Sequence, residues 1–152
     1  MSDFYFFYSM MQINWLKKYL GKIYAPLCWT LLVLILLTLP GNMLPSEPGF
    51  KIPQFDKFVH FCLFGVFVGL WCLYVHVRQP LAVKRLQWFF LVFSVAVAFG
   101  IVMEYVQKYY IPFRDFELGD IIADMIGAGV AYGICNILLA EENHTHSSGK
   151  TG

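Results

Sequence analysis

Charge is what this sequence is poorest in. Asp, Glu, Lys and Arg make up only 14% of its 152 residues, and the formal net charge is +1; an ordinary soluble domain carries roughly a quarter charged residues. That scarcity excludes the dense basic face a nucleic-acid-binding domain needs, so no nucleic-acid partner is expected. Cysteine is scarce too. Cys28, Cys62, Cys72 and Cys135 each lie within an apolar stretch, and no two form a CxxC pair. The spacing excludes a zinc ribbon or a thiol redox motif, and the thiols read as small apolar packing residues. An HExxH helix, a phosphate-binding glycine loop and a nucleophile motif are all missing. Alternating apolar–polar strand patterns are missing as well, which excludes an outer-membrane barrel.

What the chain has instead is apolar mass: 59% of its residues are apolar and its mean hydropathy is +0.60. This mass falls into four runs, about 23–40, 58–77, 86–103 (continuing as helix to about 108) and 120–140. A run of about 20 apolar residues spans the roughly 30 Å of a bilayer core as a helix. In lipid, backbone polar groups must pair within the segment, so helix is the state such runs adopt. The expected fold class is therefore all-α, a four-helix transmembrane bundle. Residues 1–22 are expected to form an amino-terminal arm suited to the interface, 23–140 the membrane domain, and 141–152 a disordered polar tail. The first run is followed by Pro40-Gly41-Asn42-Met43-Leu44-Pro45 and not by a small-x-small site, so it reads as a retained helix and not a cleaved signal.

Orientation follows from the basic residues. Lys17, Lys18 and Lys22 precede the first run, and Arg78, Lys84 and Arg85 join the second to the third. The positive-inside rule puts both groups, and hence both termini, in the cytoplasm of a multi-pass inner (plasma) membrane protein. Membrane lipids are the expected surroundings.

The polar residues that resist the bilayer carry the functional information, because an ionised group at mid-membrane costs roughly 2.5–3.5 kcal/mol or more. Asp56, Lys57 and His60 open the second run, Glu104 and Gln107 close the third, Arg114 follows in a loop, and Asp120 and Asp124 open the fourth. All fall at the outer ends of their helices. Asp56 and His60 are one turn apart, as are Asp120 and Asp124, so each pair shares a face. Small residues continue those faces inward: Ala96 and Gly100 below Glu104, then Gly127, Ala128 and Ala131 below Asp124. Lys57, His60, Glu104, Gln107, Arg114, Asp120 and Asp124 are therefore the expected binding residues of one outward-facing polar site. No catalytic residue, metal ligand or cofactor is assigned.

Each has a plainer role beside the functional one. Asp120, after Gly119, suits a helix N-cap, and so does Asp56. Lys57 can snorkel to the headgroups. Glu104 or Asp124 can form a structural ion pair with Arg114. Gly65-xxx-Gly69 and Gly129-xxx-Gly133 read as helix-contact surfaces, through which the chain can also form a homo-oligomer. His144 and His146 read as part of a solvated tail.

The elements Asp56-Lys57-x-x-His60, Glu104-x-x-Gln107, Arg114 and Asp120-x-x-Ala123-Asp124-x-x-Gly127 follow in that order. In this respect the chain resembles the VanZ-like family of small multipass membrane proteins, over about Pro40 to Gly133. It departs at Asp124, a position often held by Asn in that family. The resemblance implies a cell-envelope membrane protein and a link to antibiotic resistance, through reduced susceptibility to teicoplanin-type glycopeptides. It brings no established reaction. The expected function is action at the outer face of the membrane on a lipid-linked or anionic surface component, such as a lipid-linked cell-wall precursor. The alternative is a membrane-embedded hydrolase or transferase acting on a lipid-linked substrate. A transporter or proton relay is a third class, for which four helices in one copy are few.

Overall fold

The computed structural model describes residues 19–43, 55–79 and 81–148. Within the described residues four α-helices are defined in order: α1 (Tyr24–Leu37), α2 (Phe55–Arg78), α3 (Ala82–Tyr110) and α4 (Leu118–Ser148), with a 3-10 turn at Gly41–Met43 after α1. No strand occurs among the described residues. Most of the amino-terminal arm, the greater part of the connection between α1 and α2 and the last four residues of the tail lie outside the described residues.

Three helices, α2, α3 and the Leu118–Leu138 part of α4, are long and apolar enough to cross a membrane. The first is shorter than expected. At 14 residues α1 rises about 21 Å, less than the roughly 30 Å hydrocarbon core. It stops where Thr38 turns its hydroxyl back onto the carbonyls of Leu34 and Ile35, at 2.7 and 3.1 Å, and Pro40 follows with no N–H to continue the ladder. α4 differs in the other direction. Its backbone continues to Ser148, through most of the stretch expected to be a disordered polar tail. Glu141-Glu142-Asn143-His144-Thr145-His146 contains neither Gly nor Pro, so nothing breaks the helix before Gly149.

The burial pattern is inverted relative to a soluble protein. Leu31, Phe90, Val102 and Ile137 are more than half exposed, while Glu104 is 1% exposed and Asp124 2%. Large apolar side chains turned outward with carboxylates turned inward are what a lipid solvent selects.

The helices run up, down, up and down, with α2 central and packed most extensively on α4. Where α2 and α4 cross, a Cβ on Gly127 would run into the backbone carbonyl of Phe61, and one on Gly65 would meet the carbonyl oxygen of Gly127. The α2–α4 contact therefore centres on Gly65 and Gly127. Gly69 and Gly133, expected to extend such surfaces, have nothing within 4 Å of an added Cβ; the close contact does not reach them. Below it, Phe99 sits against Phe64 and Phe67 with centroids 5.7 and 5.9 Å apart, and Val68, Cys72 and Phe89 complete the core. Helix α1 is tied on by polar contacts: Trp29 Nε1 donates to the Leu63 carbonyl at 3.0 Å, and Trp71 Nε1 donates to Thr30 Oγ1 at 3.2 Å. All four cysteines are free thiols.

Candidate functional site: a buried carboxylate cluster at one end of the bundle

The amino-terminal ends of α2 and α4 and the carboxy-terminal end of α3 meet at one end of the bundle. His60, one turn into α2, is buried, and its Nδ1 lies 3.0 Å from Asp124 Oδ1 on α4. A small residue on α3 makes this possible: a Cβ on Gly100 would meet Asp124 Oδ2 at 2.6 Å. That second oxygen is buried and has no hydrogen-bond partner. One turn along α3 from Gly100, Glu104 accepts a hydrogen bond from the backbone N–H of Glu117 at 3.0 Å through Oε2, while its Oε1 is buried without one. Glu104 thereby fastens the α3–α4 loop.

Lys57 lies above these carboxylates. Its Nζ is 2.6 Å from Glu117 Oε2 and 3.5 Å from Asp120 Oδ1, and its stem lies where a side chain on Gly119 would otherwise stand. Asp120 is 4% exposed. It sits in the first turn of α4, with its N–H bonded to the Glu117 carbonyl at 3.1 Å, so it lies inside the helix that it was expected to cap. Asp56 likewise stands in the first turn of α2. Both positions favour negative charge, because the exposed N–H groups of a helix start are partly positive.

Arg114 reaches the cluster from the loop. The preceding residue, Phe113, has φ of 59°, a left-handed conformation that costs a non-glycine residue of the order of 1–2 kcal/mol. The loop is held by a hydrogen bond from Gly41 N to the Pro112 carbonyl at 3.1 Å, and the Phe113 carbonyl occupies the place of a Cβ on Gly41. Arg114 comes within 3.7 Å of Asp56, the guanidinium largely buried and its Nε without a hydrogen bond. The ion pair is thus with Asp56. Neither Glu104 nor Asp124, the expected structural partners, takes that role. Gln107 serves a different purpose from the rest: its Nε2 donates to the Leu37 carbonyl at 3.0 Å, satisfying one of the open carbonyls at the end of α1.

Lys57, His60, Glu104, Asp120 and Asp124 thus lie in one connected cluster, with Arg114 at its edge and Gln107 anchoring α1 beside it. Beyond the expected residues are Asp56 and Glu117. Asp56 was visible from its one-turn spacing to His60. Glu117 acts partly through its main-chain N–H, which no side-chain pattern reports.

Beside the cluster opens a cavity of about 380 Å³. Leu36, Leu37, Val59 and Leu63 form its apolar wall, and Asp56, His60 and Arg114 its polar mouth. A larger, wholly apolar groove of about 490 Å³ lies toward the other end, between Phe67, Trp71, Trp88 and Phe99.

Compared with known proteins, the chain matches no family model, no curated protein and no solved structure. Fold and site together define an all-helical protein with the features of a polytopic membrane protein and a buried carboxylate–histidine cluster at one end of its bundle.

Proposed function

We propose that the chain is a VanZ-like membrane protein of the bacterial cell envelope. In this reading all four helices cross the inner membrane with both termini cytoplasmic. The outward-facing pocket then receives the anionic head of a lipid-linked surface component, and the activity bears on susceptibility to teicoplanin-type glycopeptides. For the topology, support comes from the basic residues Lys22, Arg78, Lys84 and Arg85, which fall toward the end opposite the cluster. Apolar residues Ile23, Leu39 and Pro40 flank α1 and lengthen its reach.

The observation that carries the functional reading is the cavity beside Arg114. Its wall is aliphatic and its mouth holds a largely buried guanidinium. That is the shape of an amphipathic ligand: a chain against Leu36, Leu37 and Leu63, and a phosphate or carboxylate at Arg114, whose planar fork suits such groups. The 3.7 Å contact to half-exposed Asp56 is loose enough for a ligand anion to replace it.

The test is lipid analysis of the full chain purified in detergent. Wild type is expected to carry a phosphate-bearing lipid that Arg114→Ala loses while its abundance in the membrane stays near normal. Glu104→Gln, which keeps the shape of the side chain, is expected to abolish any change in teicoplanin susceptibility. Identical lipids on wild type and Arg114→Ala would rule this reading out.

The His60–Asp124 pair favours a second reading, a membrane-embedded hydrolase or transferase acting on a lipid-linked substrate. A histidine oriented by a buried carboxylate is suited to general acid–base work. Release of a head group from the bound lipid, lost in His60→Gln, distinguishes it from simple binding.

A further inference from the structure

We propose that Asp56, His60 and Asp120 form a binding site for a divalent first-row metal ion, with Mn²⁺ or Zn²⁺ the cations their donors suit. One ligand atom from each residue lies within 4.8 Å of the other two. One imidazole nitrogen with two carboxylate oxygens matches the borderline chemistry of these ions. Three protein ligands would leave positions open for water or an anionic ligand, as in sites that act on substrates.

Two further observations point to a cation. The first is Asp124. A metal-bound histidine characteristically gives its other ring N–H to a carboxylate, which fixes the tautomer and aims the free nitrogen. His60 Nδ1 is already engaged by Asp124 Oδ1 at 3.0 Å, both side chains being buried, so Nε2 is the nitrogen left for a metal. The second is Asp120, a 4% exposed carboxylate whose Oδ1 is buried with no hydrogen bond and has only Lys57 Nζ at 3.5 Å. Lys57 has the closer partner in Glu117, at 2.6 Å, and can keep it while Asp120 turns to a metal. Buried carboxylates outnumber their lysine and arginine partners here: Glu104, Asp120 and Asp124 are all buried, and among the described residues the ion pair of this kind is that of Asp120 with Lys57, at 3.5 Å. Burying such a surplus calls for a compensating positive charge.

The closure required is small. Ligand atoms about 2.1 Å from a metal stand roughly 3–3.5 Å from one another, so donors that lie within 4.8 Å must close by up to about 1.3–1.8 Å. Asp56 has room to do so: its side chain is 45% exposed, and its contact with Arg114, at 3.7 Å, is loose.

Protein side chains alone would hold the ion, so metal content is read separately from lipid content and either reading can fail without the other. Full-length protein in detergent would be stripped with chelator, dialysed against Mn²⁺ or Zn²⁺ and assayed by elemental analysis. About one ion per chain is expected. It should be lost in His60→Gln and Asp120→Asn, weakened about tenfold or more in Asp124→Asn through the outer hydrogen bond, and retained in His144→Ala/His146→Ala. Should the first two variants fail to fold, pulsed electron paramagnetic resonance of wild type with Mn²⁺ decides, the expected result being one directly bound imidazole nitrogen. Loss of the ion in the His144/His146 variant, no ion on wild type, or no nitrogen coupling would each overturn the site. The last two outcomes would leave Lys57 as the cation that neutralises Asp120.

Discussion

His60 Nδ1 and Asp124 Oδ1 face each other at 3.0 Å across the α2–α4 contact, both almost wholly shielded from solvent. The pair lies one helical turn above the glycine crossing, with Gly127 three residues further along α4. Close packing of the backbones and the polar contact thus depend on one another: the helices must approach for the side chains to meet.

That dependence makes the pair's energetics testable by a double-mutant cycle. Asp124→Leu removes one partner and strands the imidazole, an effect of about 3–5 kcal/mol for a buried pair that is charged and less if it is neutral. Asp124→Asn keeps a hydrogen-bond acceptor and should cost only about 1 kcal/mol. His60→Leu/Asp124→Leu removes both partners and is expected to be more stable than the sum of the single changes implies. Thermal unfolding in detergent, followed by helical circular dichroism, measures wild type, His60→Leu, Asp124→Leu, Asp124→Asn and the double variant. Strict additivity would mean that the two side chains do not interact.

The glycines divide into two kinds, and alanine separates them. Gly127→Ala drives a methyl into the Phe61 carbonyl, forcing α2 and α4 apart at a cost of roughly 1–3 kcal/mol. Gly127→Leu should strip the protein from membrane fractions. Gly133→Ala meets open space and is expected to be neutral, or to stabilise by up to about 1 kcal/mol through helix propensity. Quantitative blotting of membrane fractions beside unfolding midpoints reads the contrast. Equal loss at both positions would contradict the crossing geometry.

The topology yields the third expectation. Single cysteines placed at Glu47 and Asn143, in a background lacking the native four, should label from opposite sides. A membrane-impermeant thiol reagent on intact cells is expected to reach position 47 and not position 143. Labelling at 143 alone would invert the orientation and place the carboxylate cluster at the cytoplasmic face.

How much of this was legible beforehand differs between the elements and their relations. The runs that became α2, α3 and α4 were legible because some 20 residues almost free of charge have one low-energy state in lipid, a helix. Their ends were marked by Gly119 and by the charged residues themselves. Only the length of α1 and the continuation of α4 to Ser148 departed from expectation. Their common level in the bundle was legible too, since Asp56, Glu104 and Asp120 each stand at an end of their run and successive runs alternate in direction.

The pairings were not legible. Which carboxylate meets Arg114, which one meets His60, and which glycine bears the crossing all depend on how each helix is rotated about its axis. In a soluble protein an apolar stripe reports that rotation. Here the helices are apolar nearly all round, because lipid rewards the outer face as the core rewards the inner, and the stripe disappears. Depth therefore belonged to the sequence by itself, through the cost of burying charge in hydrocarbon. Partnership belonged to the tertiary structure. There, the close approach at Gly65 and Gly127 and the recess at Gly100 decided that Asp124 would face His60, and the loop held at Gly41 decided that Asp56, not Glu104, would face Arg114.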